Sequence, residues 1–289
     1  MLTPEDILHH PRFASARDAH ILALTSLFAG DRFVTWMMAD AAVFALRGFI
    51  VGCDVSYTPD DRTTWATPSN LRTLIAERKL ASPRRVDTMI ARFLQARYAL
   101  ARPSAIDRRL RLLAPTPRLM AHDCDHLVAY HRFLLTLLPG QGYEWVLSAD
   151  PAAHRAIRRS AFRRLGQAMA FLNHAPIMMF LARDAGYLAF LMLACARITG
   201  REGDLSFTGI AETLGVSRTH IRNLFREAEA AGYVRLNARG TSPIDITPAL
   251  WSSYERFLAD VQIGQHLIAG HAFASLGAEG VGPNEKAGA

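Results

Sequence analysis

Residues 210–235 read IAETLGVSRTHIRNLFREAEAAGYVR, and residues 75–100 read IAERKLASPRRVDTMIARFLQARYAL. At an offset of 135 the two stretches align without a gap, with identities at Ile75/Ile210, Ala76/Ala211, Glu77/Glu212, Ser82/Ser217, Ala96/Ala231 and Tyr98/Tyr233. The apolar register matches as well, at Val86/Ile221, Met89/Leu224 and Ile90/Phe225. An internal repeat of this kind outranks any single motif in deciding the fold. In the second copy, Thr208 is expected to cap a helix over 209–214, which Gly215 ends as a left-handed turn residue. Ser217 then caps a second helix reaching about Ala230. Its apolar stripe is Ile221, Leu224, Phe225 and Ala228; its opposite face carries Arg218, Thr219, Arg222, Asn223 and Arg226. Two helices about a glycine turn, the second amphipathic with an Arg/Asn/Thr face, form the helix-turn-helix pattern. Gly232, YVRL, the tip NARGTSP and IDIT follow as a two-stranded hairpin, making the module a winged helix.

The first copy has the same parts. A helix from about Ser69 to Leu80 precedes Ser82 as N-cap and Pro83 at the first helical position, where its missing N–H costs nothing. The next helix buries Val86, Met89, Ile90 and Phe93 and presents Arg84, Arg85, Thr88, Arg92 and Gln95. A hairpin from YALARP through a tip near 104–107 to RLRLLAPT closes the module.

The repeat extends outward. Thr116-Pro117 and Thr247-Pro248 each open a closing helix, and each module follows a long apolar helical region, 20–51 and 166–198. Met37-Met38 and Asp40-Ala41 echo Met178-Met179 and Asp184-Ala185. The predicted architecture is mainly α: two tandem winged helix-turn-helix units, 1–140 and 141–276, whose long apolar helices form an internal pseudo-dimer, with a disordered tail over 277–289.

Asp107-Arg108-Arg109, followed by Leu112-Leu113 and Thr116, resembles the wing of MarR-family transcriptional regulators. There an Asp-x-Arg leads into an apolar strand and a Thr that opens the last helix. The order of elements over about 20–140 is also similar. The resemblance implies that Arg109 enters the minor groove and that Asp107 steadies it. The second copy departs from the pattern: its wing is about four residues shorter and has no Asp-x-Arg, only Arg239 near the tip. The family ordinarily carries one such unit per chain and works as a homodimer.

Charge agrees with nucleic acid as partner. The chain of 289 residues has 33 Lys+Arg against 26 Asp+Glu, a formal +7, and its only lysines are Lys79 and Lys286. Arginine makes flat, multi-donor contacts with phosphate and base edges, although GC-rich coding would also enrich it. The candidate DNA-contacting residues are Arg84, Arg85, Thr88, Arg92, Asp107, Arg108, Arg109, Ser217, Arg218, Thr219, Arg222, Asn223, Arg226 and Arg239. Arg155, Arg158, Arg159, Arg163 and Arg164 recur at helical spacing as either a solvated face or a phosphate-tracking strip.

Other chemistry is weaker in the sequence. His122, Cys124 and His126, with Asp123, Asp125 and His131 around them, are the one cluster with metal-ligand types; a mixed polar helix face accounts for them better, and no metal or cofactor is expected. Met37, Met38, Met178 and Met179 offer a place for a small-molecule effector between the apolar helices, but methionines at helical spacing are more often core. GxSxG, P-loop, Rossmann and HExxH patterns are absent, so no enzymatic activity is expected. Phe33–Val51 and Ala175–Ala196 have the length of membrane spans. Asp40, Arg47, Arg183 and Asp184 within them point instead to buried helices of a protein without a membrane partner. Three scattered cysteines without a CxxC fit a reducing, cytoplasmic compartment.

The function expected is sequence-specific recognition of double-stranded DNA by a transcriptional regulator with two unlike recognition helices. The alternatives are a plasmid-type replication initiator, which also has two winged helices, and a protein–protein adaptor that binds no DNA. Oligomeric state is left open.

Overall fold

The computed structural model describes residues 2–28, 30–164, 174–237 and 244–278. The fold is mainly helical with two small antiparallel sheets. In chain order come α1 (Pro4–Leu8), α2 (Phe13–Phe28), α3 (Arg32–Ala39), α4 (Ala41–Ser56), α5 (Pro68–Glu77) and α6 (Pro83–Gln95). A hairpin of β1 (Ala99–Pro103) and β2 (Arg111–Pro115) leads into α7 (Pro117–Leu137). There follow α8 (Tyr143–Leu147), α9 (Pro151–Arg163), α10 (Ala175–Leu181), α11 (Gly186–Thr199), α12 (Phe207–Leu214) and α13 (Arg218–Ala230). A second hairpin, β3 (Val234–Leu236) with β4 (Ile244–Ile246), leads into α14 (Pro248–Ala278). Arg239 and most of the 277–289 tail lie outside the described residues, whereas Gly277 and Ala278 still belong to α14.

The chain folds into two compact units. One comprises Met1–Asp40, Ala129–Gln141 and Gln167–Gln265; the other comprises Ala41–Val128, Gly142–Gly166 and His266–Ala289. Residues 1–140 and 141–276 therefore repeat an order of elements, while each compact unit draws segments from both halves.

The two hairpins close by the same bonds. Tyr98 N–H donates to the Phe93 carbonyl (3.0 Å), and Tyr233 N–H to that of Ala228 (2.8 Å). Thr116 Oγ1 donates to the Arg97 carbonyl (3.0 Å) and accepts from Leu119 N–H (3.4 Å). Thr247 Oγ1 donates to the Gly232 carbonyl (2.9 Å) and accepts from Leu250 N–H (3.4 Å). One hydroxyl thus fastens the end of a hairpin to the start of a helix and caps that helix. The first hairpin spans 99–115 and the second 234–246; the difference lies in strand length, five residues against three.

Ser82 and Ser217 cap α6 and α13 as expected, accepting from the N–H groups of Arg85 (3.4 Å) and His220 (3.1 Å). The preceding helices differ from expectation. Ser206, not Thr208, caps α12, and α5 runs from Thr67 as cap only to Glu77. The left-handed turn residue is Gly215 (φ 68°) in one copy and Lys79 (φ 54°) in the other. Leu80 N–H bonds the Ile75 carbonyl as Val216 N–H bonds that of Ala211, so Ile75 corresponds to Ala211 rather than to Ile210. The first copy's turn is one residue longer, and the gapless alignment is out of register through the first helix.

The long apolar regions are not continuous helices. The first breaks at Asp40 and the second at 182–185, where α10 and α11 meet at 115°. Gly186 makes that second elbow possible: a Cβ there would stand 2.2 Å from the Phe180 carbonyl oxygen. Among the described residues no single helix is long and apolar enough to cross a membrane. Met37 and Met38 are buried in core, and Met178 and Met179 are half-buried.

Within the second unit, α9 lies close against α4, because Gly52 leaves room for the ring of Phe162; a Cβ on Gly52 would come 2.8 Å from that ring. The same unit buries an ionic knot. Asp123 of α7 is 0% exposed and accepts from Arg158 Nε (2.6 Å), Arg158 Nη2 (2.8 Å) and His154 Nε2 (2.8 Å), all on α9. Arg47 of α4, 1% exposed, stands 3.7 Å away and lies over the ring of Phe44. Burial alone would raise the Asp123 carboxyl, but Arg158, His154 and Arg47 hold it well below the ordinary carboxylate range. His122, His126 and His131 are also buried, so the mixed polar helix face expected at 122–131 is instead largely interior.

Candidate nucleic-acid interface

The outward faces of α6 and α13 collect most of the arginines predicted to meet DNA. On α6, Val86, Met89, Ile90 and Phe93 are buried, which turns Arg84, Arg85, Thr88 and Arg92 to solvent. On α13, Ile221, Leu224, Phe225 and Ala228 are buried, and Arg218, Thr219, Arg222, Asn223 and Arg226 are exposed. Phe225 stacks on Phe207 of α12 (5.9 Å between centroids, 10° between planes), which fixes the rotation of α13 about its axis. Ser217 is exposed, but its oxygen serves the helix cap; the Thr88 hydroxyl donates back to the Arg84 carbonyl (3.1 Å).

The two faces are chemically unlike. Asp87 stands in the middle of the α6 face and pairs with Arg72 of α5 (2.7 Å); the residue in its place on α13 is Arg222. On α13 the acid lies to one flank, where Glu227 pairs with Arg183 (2.5 Å). Two helical turns away, His220 Nε2 donates to the Asp184 carbonyl (2.7 Å). Residues of the α10–α11 elbow thus hold α13 by two side chains seven positions apart on one flank. Ala185 in that elbow is left-handed (φ 54°), and its N–H is bonded to the Ala39 carbonyl (3.0 Å).

The first hairpin carries Asp107, Arg108 and Arg109, while Arg239 lies outside the described residues. Asp107 Oδ1 accepts from the backbone N–H of Arg109 (3.0 Å), so Asp107 shapes the tip. Arg108 and Arg109 are exposed. Leu113 N–H bonds the Ala66 carbonyl (2.9 Å), which anchors β2 to the segment leading into α5.

The Arg155–Arg164 series does not form one face. Arg158 turns inward to Asp123, Arg159 donates to the Val55 carbonyl (3.1 Å), and Arg155 and Arg163 are exposed. Among the described residues no three His, Cys, Asp or Glu side chains converge as metal ligands would.

Sequence reasoning missed the Asp123 knot, the Asp87–Arg72 pair and the grip on α13. Arg47 was the available signal for the first, since a charge inside an apolar helical run needs a buried partner. Asp87 was visible on the α6 face at the position where α13 has Arg222. The grip on α13 joins residues about 40 positions apart and left no local trace. Comparison with known proteins finds no matching family model, no matching curated protein and no matching solved structure.

Proposed function

We propose that the chain is a sequence-specific double-stranded DNA-binding protein, a transcriptional regulator in which two winged helix-turn-helix modules act as an internal pseudo-dimer. The observation that carries this reading is the recurrence, in one chain, of a serine-capped amphipathic helix with an arginine-rich outward face, followed by a hairpin and a threonine-capped helix. Helices of this type suit the major groove, where Arg pairs with guanine and Asn with adenine in two-point fashion. Phosphate contacts from the surrounding arginines supply affinity that weakens with salt. The resemblance of Asp107-Arg108-Arg109 to a MarR-type wing agrees with this reading.

Selection of bound sequences from a random duplex pool tests it. Enrichment of a defined site, with affinity that falls steeply with salt, is the expected result. A pool that stays random, or no retention at low salt, overturns the reading and leaves a protein-contact module. Directly repeated sites instead of paired half-sites favour an origin-binding initiator.

A further inference from the structure

We infer that the β1–β2 hairpin is a wedge that unstacks and bends duplex DNA, with Ile106 as the side chain that enters the base step. The inference rests on the DNA-binding reading above and adds to it a deformation of the partner.

The two most exposed large apolar side chains among the described residues are Ile106 (56%) and Leu100 (55%), and both lie on this one hairpin. A single exposed aliphatic residue needs no explanation. Two on one hairpin otherwise rich in charge do. Arg102, Arg108, Arg109 and Arg111 are all exposed there. The only acid, Asp107, is occupied in the turn, and Arg102, next to the tip, is paired with Asp54 of α4 (3.2 Å).

The tip that displays Ile106 is rigidly built. The buried Ser104 hydroxyl accepts from the N–H groups of Ile106 (3.2 Å) and Asp107 (3.4 Å). Ser104 N–H bonds the Leu110 carbonyl (3.0 Å), and Leu110 N–H bonds the Asp107 carbonyl (2.9 Å). The backbone that presents this branched apolar side chain is therefore already ordered, with Arg108 and Arg109 beside it.

That combination identifies the partner by its chemistry. The flanking guanidinium groups need a dense line of anions, and the apolar tip needs an apolar surface between them. A duplex offers both, as phosphates on the groove walls and base faces exposed when a step opens. With α6 laid in a major groove, the hairpin that leaves its C-terminal end meets the neighbouring minor groove. Apolar wedges entering there kink DNA by about 20–90° toward the major groove. Pyrimidine–purine steps, which open most easily, are the expected site. Ile106 and Leu100 together offer too little apolar area to hold a membrane surface, which makes the lipid alternative the weaker one.

The test uses the full chain and duplexes of about 30 base pairs, the length over which such bends are resolved, selected from a random pool with the wild-type protein. Donor and acceptor dyes on the duplex ends report bending, and 2-aminopurine at the hairpin-side flank reports unstacking. Wild-type protein is expected to bring the ends together and raise 2-aminopurine emission. Ile106→Ala should lose most of both signals while keeping the salt dependence of binding, and Ile106→Val should retain part of them. Binding without a bend, or an Ile106→Ala complex bent like the wild type, overturns the wedge and leaves DNA binding intact. Absence of any duplex binding overturns the underlying reading instead. Binding to vesicles containing anionic lipid that depends on Ile106, with no bend in DNA, assigns the tip to a membrane and overturns the proposal.

Discussion

Asp123 and Arg158 meet inside the second unit in a two-pronged ion pair, with both carboxylate oxygens of Asp123 engaged at 2.6 and 2.8 Å. His154 and Arg47 share the same carboxylate, so one residue of α7 gathers side chains from α4 and α9. The pair joins the helix that closes the first copy of the repeat to one that precedes the second.

Removing that carboxylate should cost far more than any surface change. Asp123→Asn leaves Arg47 and Arg158 with no buried counter-charge, and breaking a buried pair in this way costs about 3–5 kcal/mol. Arg155→Gln, at an exposed position on the same α9, should shift stability by less than about 0.5 kcal/mol. Denaturant unfolding of the two variants checks the contrast.

Acid should weaken the fold through two buried histidines. Burial pushes His20 down to about 4, against the opposing contact of its ring with the Ala129 carbonyl. Burial, with Arg47, Arg158 and His122 nearby, also holds His126 well below its ordinary value. Both histidines must stay neutral in the folded chain, whereas the unfolded chain takes up protons at about 6.5. Stability is therefore complete above that pH and falls as pH drops from 6.5 toward 4. The His20 share is on the order of 3 kcal/mol. Melting temperatures measured between pH 7 and pH 4 should fall, and His20→Gln should flatten that fall.

The turn ahead of each candidate recognition helix should respond to backbone chemistry in opposite senses. Lys79 holds a left-handed conformation that costs a residue with a Cβ about 1 kcal/mol, so Lys79→Gly should stabilise by about that amount. Gly215→Ala should destabilise by a similar amount. Thermal unfolding of both variants decides this.

The same turn shows how far the sequence could be read. The serine caps, the apolar stripes of α6 and α13, both hairpins and both closing threonines are local features, and local patterns of residues specify them. The extra residue in the first turn escaped notice because Ile75, Ala76 and Glu77 coincide in type with Ile210, Ala211 and Glu212, although their backbone positions do not correspond. The breaks fall at Asp40 and at Arg183-Asp184, charges that were visible but were read as lying within continuous helices, because the apolar runs around them carry no periodic signal. Asp123 was visible only as one polar residue among histidines, because its partners are 31, 35 and 76 positions away. Composition of the compact units from both halves of the chain is a long-range property with no local code.

The unlike faces of α6 and α13 predict unlike half-sites. Asp87 and Thr88 stand where α13 has Arg222 and Asn223, and these side chains favour different base edges. Asn223→Ala should relax base preference in one half-site alone, at a cost of about 1–3 kcal/mol. Arg109→Ala should weaken binding at the flank of the other. Repeating the selection with each variant reads out which half changes.

The most direct test of the central claim is a salt titration of duplex binding, comparing the wild type with a variant in which Arg218, Arg222 and Arg226 are all replaced by Ala. Each phosphate neutralised contributes about −0.9 to the slope of log K against log salt. The account predicts a steep negative slope for the wild type, weaker binding by the variant, and a shallower slope wherever those arginines meet phosphate. A wild type that does not bind duplex DNA at low salt, or a variant that binds with the same affinity and slope, contradicts it.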